Sequence, residues 1–354
     1  MAAFIPLRDD LGLSEGYHSP QVEAAVRLNT NESPYPPPAG FLEAVAEEMQ
    51  SAPFHRYPDR AAWALRKAVA DLHQVAPEQI WCANGSNEIL QTLLLAFGGP
   101  GRTAAVFEPT YALHRHICEI TSTAVVEGER DSALVVPVSE LDRVLRGAGP
   151  DITFVCSPNN PTGAAVSKAE LLAVLERAPG LVVVDEAYGQ FAGWSALELI
   201  AEDRPMVVTR TYSKTWSMAA MRLGYLVGPA SVIRGMERAA LPYHLDVLKQ
   251  IAGRVALRFT GEMEARVSLL VAERGRVAAG LAALDVDTWP SDANFILFRP
   301  RHKAGQRVWE DLLSHSVLIR NCSNWPRLTD CLRVTVGTPE ENDLFLEIWK
   351  EVTQ

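Results

Sequence analysis

The sequence predicts an α/β protein in which a large domain carries a mostly parallel sheet between helices and a smaller α+β domain forms the C-terminus. Three observations predict it. Short apolar runs at 103–107, 122–126, 152–156, 181–185 and 206–210 alternate with helically spaced segments at 111–119, 137–147 and 167–178, the pattern of strands joined by crossover helices. From about residue 285 that alternation gives way to strand, helix, strand, strand, helix. The length of 354 residues, with 48% hydrophobic and 21% charged, suits a globular chain large enough for two cores.

Residues 1–40 lack sustained periodicity and end in S-P-Y-P-P-P-A-G, which reads as an extended arm that packs against something larger, such as a partner subunit. The large domain then spans 41–284 and the small one 285–354. Within the first, 41–50 and 61–73 have helical spacing and are separated by H-R-Y-P-D-R, where the proline holds Tyr57 extended. I-W-C-A-N at 80–84 reads as a strand, Gly85 as a turn, and the next stretch as a helix capped by Ser86. A strand, a glycine turn and a helix N-terminus together make an anion site, although N-G is also a common hairpin turn. A long helical stretch at 245–284, interrupted by glycines, joins the domains. Strands at 294–298, 317–320 and 332–336, with helices at 306–315 and from 339, complete the chain.

The formal charge of -10 argues against nucleic acid as a partner, because duplex binding needs clustered Lys and Arg. Five cysteines, odd in number and without a C-x-x-C pair, read as reduced, buried thiols. The first residues show no basic region followed by a long apolar run, and no stretch approaches the roughly 18 apolar residues of a membrane span. The expectation is a cytoplasmic protein. His114 and His116 have no third ligand at metal-site spacing, so they read as a helix flank and no metal is expected.

Ligands of such sheets bind beyond the carboxyl ends of the strands, and three strand ends are marked by polar groups. The strand ending in T-F-V-C delivers S-P-N-N-P-T-G, with Asn159, Asn160 and Gly163. L-V-V-V delivers D-E-A-Y, with Asp185 at the last buried position and Tyr188 one turn on. M-V-V-T delivers R-T-Y-S-K, with Lys214, and Arg222 follows eight residues later. A lysine desolvated near other cations loses its proton and becomes a nucleophile able to form a Schiff base. A buried aspartate needs a cationic or donor partner; it is either a helix N-cap or the holder of a proton on a heteroaromatic nitrogen. Pyridoxal phosphate needs the second kind, together with a Schiff-base lysine and an anion cradle.

Asn-Pro-Thr-Gly ending at Gly163, Asp185 with Tyr188, Ser213-Lys214, and Arg222 before Gly224, in that order and spacing, closely resemble the fold type I pyridoxal-phosphate aminotransferases. The resemblance covers nearly the whole chain, through Y-H-S-P, R-L-N-T-N-E-S-P-Y, R-Y-P-D, N-G-S-N-E, E-P-T-Y, L-P-Y-H, S-D-A-N-F and L-R-V-T-V-G-T-P-E-E-N, and these segments look most like the histidinol-phosphate aminotransferases. It implies that Lys214 carries the cofactor and shuttles the proton, Asp185 pairs with the ring nitrogen, and Asn160 and Tyr188 bond the ring hydroxyl oxygen. Tyr111 would stack on the ring. Ser86, Asn87, Thr211, Ser213 and Arg222 would hold the phosphate, with Tyr57 reaching in from the other subunit of a homodimer.

The same resemblance gives Arg333 the substrate α-carboxylate, in a two-pronged bond that Arg supplies and Lys does not. Tyr17 and Arg320 would recognise a substrate phosphate, Arg320 also receiving the side-chain carboxylate of glutamate, and Asn29 and Asn31 stand near the same mouth. The implied reaction converts L-histidinol phosphate and 2-oxoglutarate to imidazole acetol phosphate and glutamate. Two features depart from the pattern. Ser217, Met218 and Ala220 stand where the family usually has glycines, and R-N-C-S-N-W-P-R-L resembles threonine-phosphate decarboxylases of the same fold. That decarboxylation and aromatic amino acid transamination are the alternatives within the fold; a non-catalytic cofactor-binding module, which often carries a basic DNA-binding segment absent here, is the alternative outside it.

Overall fold

The computed structural model describes Leu11 and residues 22–353. Among the described residues, twelve strands build two sheets. The larger has β2 (Ile80–Ala83), β3 (Thr103–Glu108), β4 (Ala124–Glu129), β5 (Ile152–Cys156), β6 (Leu181–Asp185), β7 (Met206–Thr211) and β8 (Gly224–Val227), in spatial order β2-β8-β7-β6-β5-β3-β4. Neighbours from β7 through β4 run parallel, whereas β8 is antiparallel to both β7 and β2. The mostly parallel sheet is therefore as expected, and β8 is an additional strand that the spacing of apolar runs does not predict.

Strands such as L-V-V-V-D are buried at every position because helices cover both faces. On one face Val106, Val183 and Val207 meet α3 (Gly85–Phe97), α4 (Ala112–Ile120) and α7 (Ala230–Ala239) through Leu90, Ile117 and Met236. On the other, Val182, Val184 and Val208 meet Leu171 and Val174 of α6 (Lys168–Arg177). Helix α6 begins where expected because Ser167 and Glu170 form a reciprocal capping box. The expected helix at 137–147 is α5 (Val138–Leu141) running into a wider π-turn segment, Asp142–Ala148. Helices α1 (Phe41–Gln50), α2 (Trp63–His73) and α8 (Val247–Ala256) pack together beside β8, and the stretch 245–284 resolves into α8, a 3-10 turn and the 23-residue α9 (Thr260–Ala282).

The smaller sheet has β9 (Val286–Thr288), β10 (Phe295–Pro300), β11 (Val317–Asn321) and β12 (Leu332–Thr335), joined at its edge by β1 (Val26–Leu28) in parallel with β11. Residues 26–28, within the stretch expected as an arm, are thus a strand of this sheet, and Val26 and Leu28 enter its core. Helices α10 (Gly305–Ser314) and α11 (Pro339–Thr353) cover it, with Phe298, Phe345 and Trp349 at the centre. All five cysteines are buried and unpaired as disulfides. Among the described residues no helix is long and apolar enough to cross a membrane.

Candidate active site

Strand β7 ends at Thr211, and the chain turns back immediately to form β8, with Tyr212 N–H donating to the Leu223 carbonyl at 2.9 Å. Fully buried Tyr212 and nearly buried Trp216 anchor this turn in the core, so residues 213 and 214 are presented on fixed backbone. Lys214 Nζ donates to the Thr30 carbonyl at 2.9 Å. Burial, then the Arg333 charge, depress its pKa to about 7; Arg222 acts the same way and Glu32 opposes them.

Asp185 closes β6 at 2% exposure. It caps no helix: Oδ1 accepts from Ala187 N at 3.1 Å and from Thr209 Oγ1 at 3.3 Å, and Oδ2 lies 3.0 Å from His114 Nε2. The expectation that His114 is a helix flank is corrected here. Its ring is wholly buried, stacked on Phe154 at 4.7 Å and edge-on to Tyr111 at 5.4 Å. The signal was present: His114 shares the buried face of α4 with Ile117 and Cys118, at the i+3 and i+4 spacing, whereas His116 lies off that face. Asp185 is thereby held from behind by an imidazole.

Helix α3 begins at Gly85, so Ser86 is in its first turn and is not the cap, which is Asn84. The sharp left-handed turn at Gly85 (φ +82°) goes with a cap two residues earlier than the serine suggested. First-turn N–H groups at Ser86 and Asn87 lie beside a hydroxyl cluster in which Thr211 Oγ1 meets Ser213 Oγ at 3.0 Å and Arg222 Nη1 donates to Ser213 Oγ at 3.1 Å. A side chain at Gly85 would strike the Arg222 guanidinium, and one at Gly224 would strike Ser86 N at 2.7 Å. Helix dipole, guanidinium and hydroxyls converge on one anion-sized recess.

Across the cavity, buried Arg333 donates through Nη1 to Asn160 Oδ1 at 2.5 Å and through Nη2 to the Asn29 carbonyl at 2.8 Å, while its Nε is buried without a partner. Tyr188 OH accepts from Asn31 Nδ2 at 2.9 Å, and burial pushes this phenol well above its ordinary pKa. Arg320 stands directly opposite Arg333 in the β11–β12 register. Both guanidinium groups line the same cavity, so an anion bound there has two cationic donors within reach. Tyr111 reaches Asn87 Oδ1 at 3.4 Å.

One cavity of about 220 Å³ is lined by Ser86, Asn87, Tyr111, Asn160, Asp185, Tyr188, Thr211, Ser213, Lys214, Arg222, Arg320 and Arg333, with Asn29, Asn31 and Cys156. Of the other two expected residues, Tyr57 is expected in the neighbouring subunit's site and does not line the cavity of its own chain. Tyr57 is 78% exposed and stacks on Tyr243 at 4.5 Å, and Tyr17 lies outside the described residues. The non-glycine turn after the lysine has its own solution: Ser217 adopts φ 56°, its hydroxyl donating to Ser33 Oγ at 2.9 Å, while Met218 fills the core beneath.

A family profile described as aminotransferase class I and II matches residues 23–348. The histidinol-phosphate aminotransferase of Nocardia farcinica is 45% identical over 97% of this chain and 91% of its own length. That of Corynebacterium diphtheriae is 41% identical over 99% and 97%. The histidinol-phosphate aminotransferase of Sinorhizobium meliloti, solved in complex with pyridoxal-5'-phosphate, superposes with a TM-score of 0.89 at 19% identity, covering 99% of this chain and 98% of that one, a likeness of fold. The chain belongs to the class I and II aminotransferases and, within them, to the histidinol-phosphate aminotransferase family.

Proposed function

We propose that this protein transfers an amino group from L-histidinol phosphate to 2-oxoglutarate, with pyridoxal phosphate held in the cavity at the ends of β5, β6 and β7. The residues fit that cofactor: a lysine depressed to a pKa of about 7, a recess that a Cβ at Gly85 or Gly224 would fill, and a buried aspartate on the same cavity. Bound there, pyridoxal phosphate supplies an aldehyde that condenses with amines and a ring that withdraws electrons from the substrate carbon. Ser86, Asn87, Thr211, Ser213 and Arg222 hold its phosphate. Asp185, backed by His114, keeps a proton on the ring nitrogen; Asn160 and Tyr188 bond the ring hydroxyl oxygen, and Tyr111 covers a ring face.

With its pKa brought down to about 7, Lys214 has a substantial neutral fraction near pH 7, which suits both attachment of the cofactor and removal of the proton from the substrate carbon bearing the amino group. Arg333 receives the α-carboxylate of glutamate, sharing its guanidinium between that group and its two protein acceptors. Arg320, together with Tyr17, receives the phosphate of histidinol phosphate or the side-chain carboxylate of glutamate, so both half-reactions use one pocket. Tyr57 completes the phosphate recess of the neighbouring subunit in a cytoplasmic homodimer.

The Arg320 and Arg333 pair lining the cavity carries the substrate assignment, because two guanidinium groups at paired positions of β11 and β12 offer an anionic substrate charge-assisted bonds. Steady-state comparison of histidinol phosphate, threonine phosphate and phenylalanine tests it. Histidinol phosphate should have the highest kcat/KM, and Arg320→Ala should lower that value by roughly 10- to 100-fold, chiefly through KM. Better turnover of phenylalanine, or carbon dioxide release from threonine phosphate, would refute the assignment.

A further inference from the structure

The segment R-N-C-S-N-W-P-R-L, set apart in the sequence, folds into a turn with one consequence for the site. After β11 the chain reverses: Cys322 N–H donates to the Cys331 carbonyl at 2.9 Å, Ser323 N–H to Asn321 Oδ1 at 2.8 Å, and Trp325 N–H to the Cys322 carbonyl at 2.9 Å. This returns residue 325 to the side of residue 320. The Arg320 guanidinium carbon lies 5.3 Å from the centre of the Trp325 ring, within cation–π range.

Trp325 is itself fixed from both sheets. It packs against a cluster containing Leu297, Cys322, Leu328 and Cys331 of the smaller sheet's surroundings and Leu134 from the loop after β4. That loop is tied down by Arg327, whose Nη1 donates to the Arg130 carbonyl at 2.6 Å and whose Nη2 pairs with Glu129. The indole Nε1 is buried with no hydrogen-bond partner among the described residues, which costs free energy that a phenylalanine there would not incur. What tryptophan has over phenylalanine at this position is the stronger cation-binding face.

We infer that Trp325 is a positioning and specificity residue: its ring holds the Arg320 guanidinium at the cavity mouth, where it meets the distal anion of the substrate. Arg320 pairs with Arg333 in the β11–β12 register, and the aromatic face gives it a seat beside that like charge. The inference rests on Arg320 being the distal-anion receptor.

The test uses the holoenzyme and the variants Trp325→Phe and Trp325→Leu in single half-reactions with histidinol phosphate, with glutamate, and with histidinol, which lacks the phosphate. Trp325→Leu should raise the half-saturating concentration of histidinol phosphate and glutamate about five- to tenfold, Trp325→Phe by less, because the cation–π face weakens in that order. The loss on histidinol should be smaller than on either anionic substrate, with the maximal rates and the visible absorbance of the bound cofactor kept. Equal losses on all three substrates, or no loss in Trp325→Leu, would overturn the inference. A wild-type enzyme that does not process histidinol phosphate would instead overturn the substrate assignment, and the glutamate arm would then decide the role of Trp325.

Discussion

Lys214 sits among cations in a partly buried site, and before cofactor binds this is a destabilising arrangement. Its pKa is about 7 in the fold against about 10.5 unfolded, so between those values the unfolded chain binds the additional proton. The penalty is therefore complete below about pH 7, shrinks as pH rises, and vanishes near pH 10.5. Cofactor-free Lys214→Met should accordingly be more stable than cofactor-free wild type at pH 6, on the order of 2 kcal/mol once solvent access to the lysine stem is allowed for. The difference should fade toward pH 10, which urea denaturation across pH can read. A constant difference at all pH values would show that the lysine is not depressed. Residues of this kind were legible in the sequence, because lysine, aspartate and asparagine at the ends of apolar strands have few reasons to be there. For His114 the buried helical face was legible but the role was not, since a lone histidine on an apolar helical face looks the same whether it fills a core or backs a carboxylate; only the fold brings it to within 3.0 Å of Asp185.

At the scale of elements, the contact between β8 and the start of α3 sets the depth of the phosphate recess. Gly224 opens β8 against backbone: an added Cβ would lie 2.7 Å from Ser86 N, 2.8 Å from the Gly85 carbonyl carbon and 2.9 Å from the Arg210 carbonyl oxygen. All three are backbone atoms, so none can move without shifting the start of α3 or the end of β7. Gly224→Ala should cost about 1–3 kcal/mol in stability. It should also weaken cofactor binding at least tenfold, since each 1.4 kcal/mol is a factor of about ten; absorbance titration and urea melts check the two effects separately. Unchanged cofactor affinity would mean that the recess has slack. The parallel strands were legible because burial on both faces leaves unbroken apolar runs. Strand β8 was missed because G-Y-L-V is only four residues long and follows a polar turn, so its signal merges with the lysine segment. Strand β1 was missed for a related reason: V-R-L is three residues, and its pairing with β11 spans nearly the whole chain.

For the whole molecule, Tyr57 is the residue whose place depends on a second copy. It is 78% exposed, as is Leu241, with Phe54 at 60%, an unusual concentration of exposed apolar surface for a lone chain. If Tyr57 serves the neighbouring subunit, Tyr57→Ala and Lys214→Ala each disable both sites of their own dimer, yet a mixed dimer has one site carrying both defects and one carrying neither. Co-refolding equal amounts of the two variants should restore about a quarter of wild-type activity, from the half of dimers that are mixed with one intact site each. No recovery would place Tyr57 outside its neighbour's site.

Residues 29–31 have a different kind of reach. The Thr30 carbonyl holds Lys214; Asn31 bonds Tyr188 on the larger-sheet side and Thr335 and Asn294 on the smaller; Asn29 holds Arg333. The chain is synthesised from its N-terminus, and domains generally fold in that order. These residues leave the ribosome well before residues 294–335 and must wait for them before their bonds can form. The cavity is therefore assembled only after residue 335 has emerged, and a nascent chain that stops short of it has the lysine and the aspartate without the enclosure that tunes them. Commitment to cofactor becomes, in effect, a late report that residues 29–31 have met residues made 263 to 304 positions later.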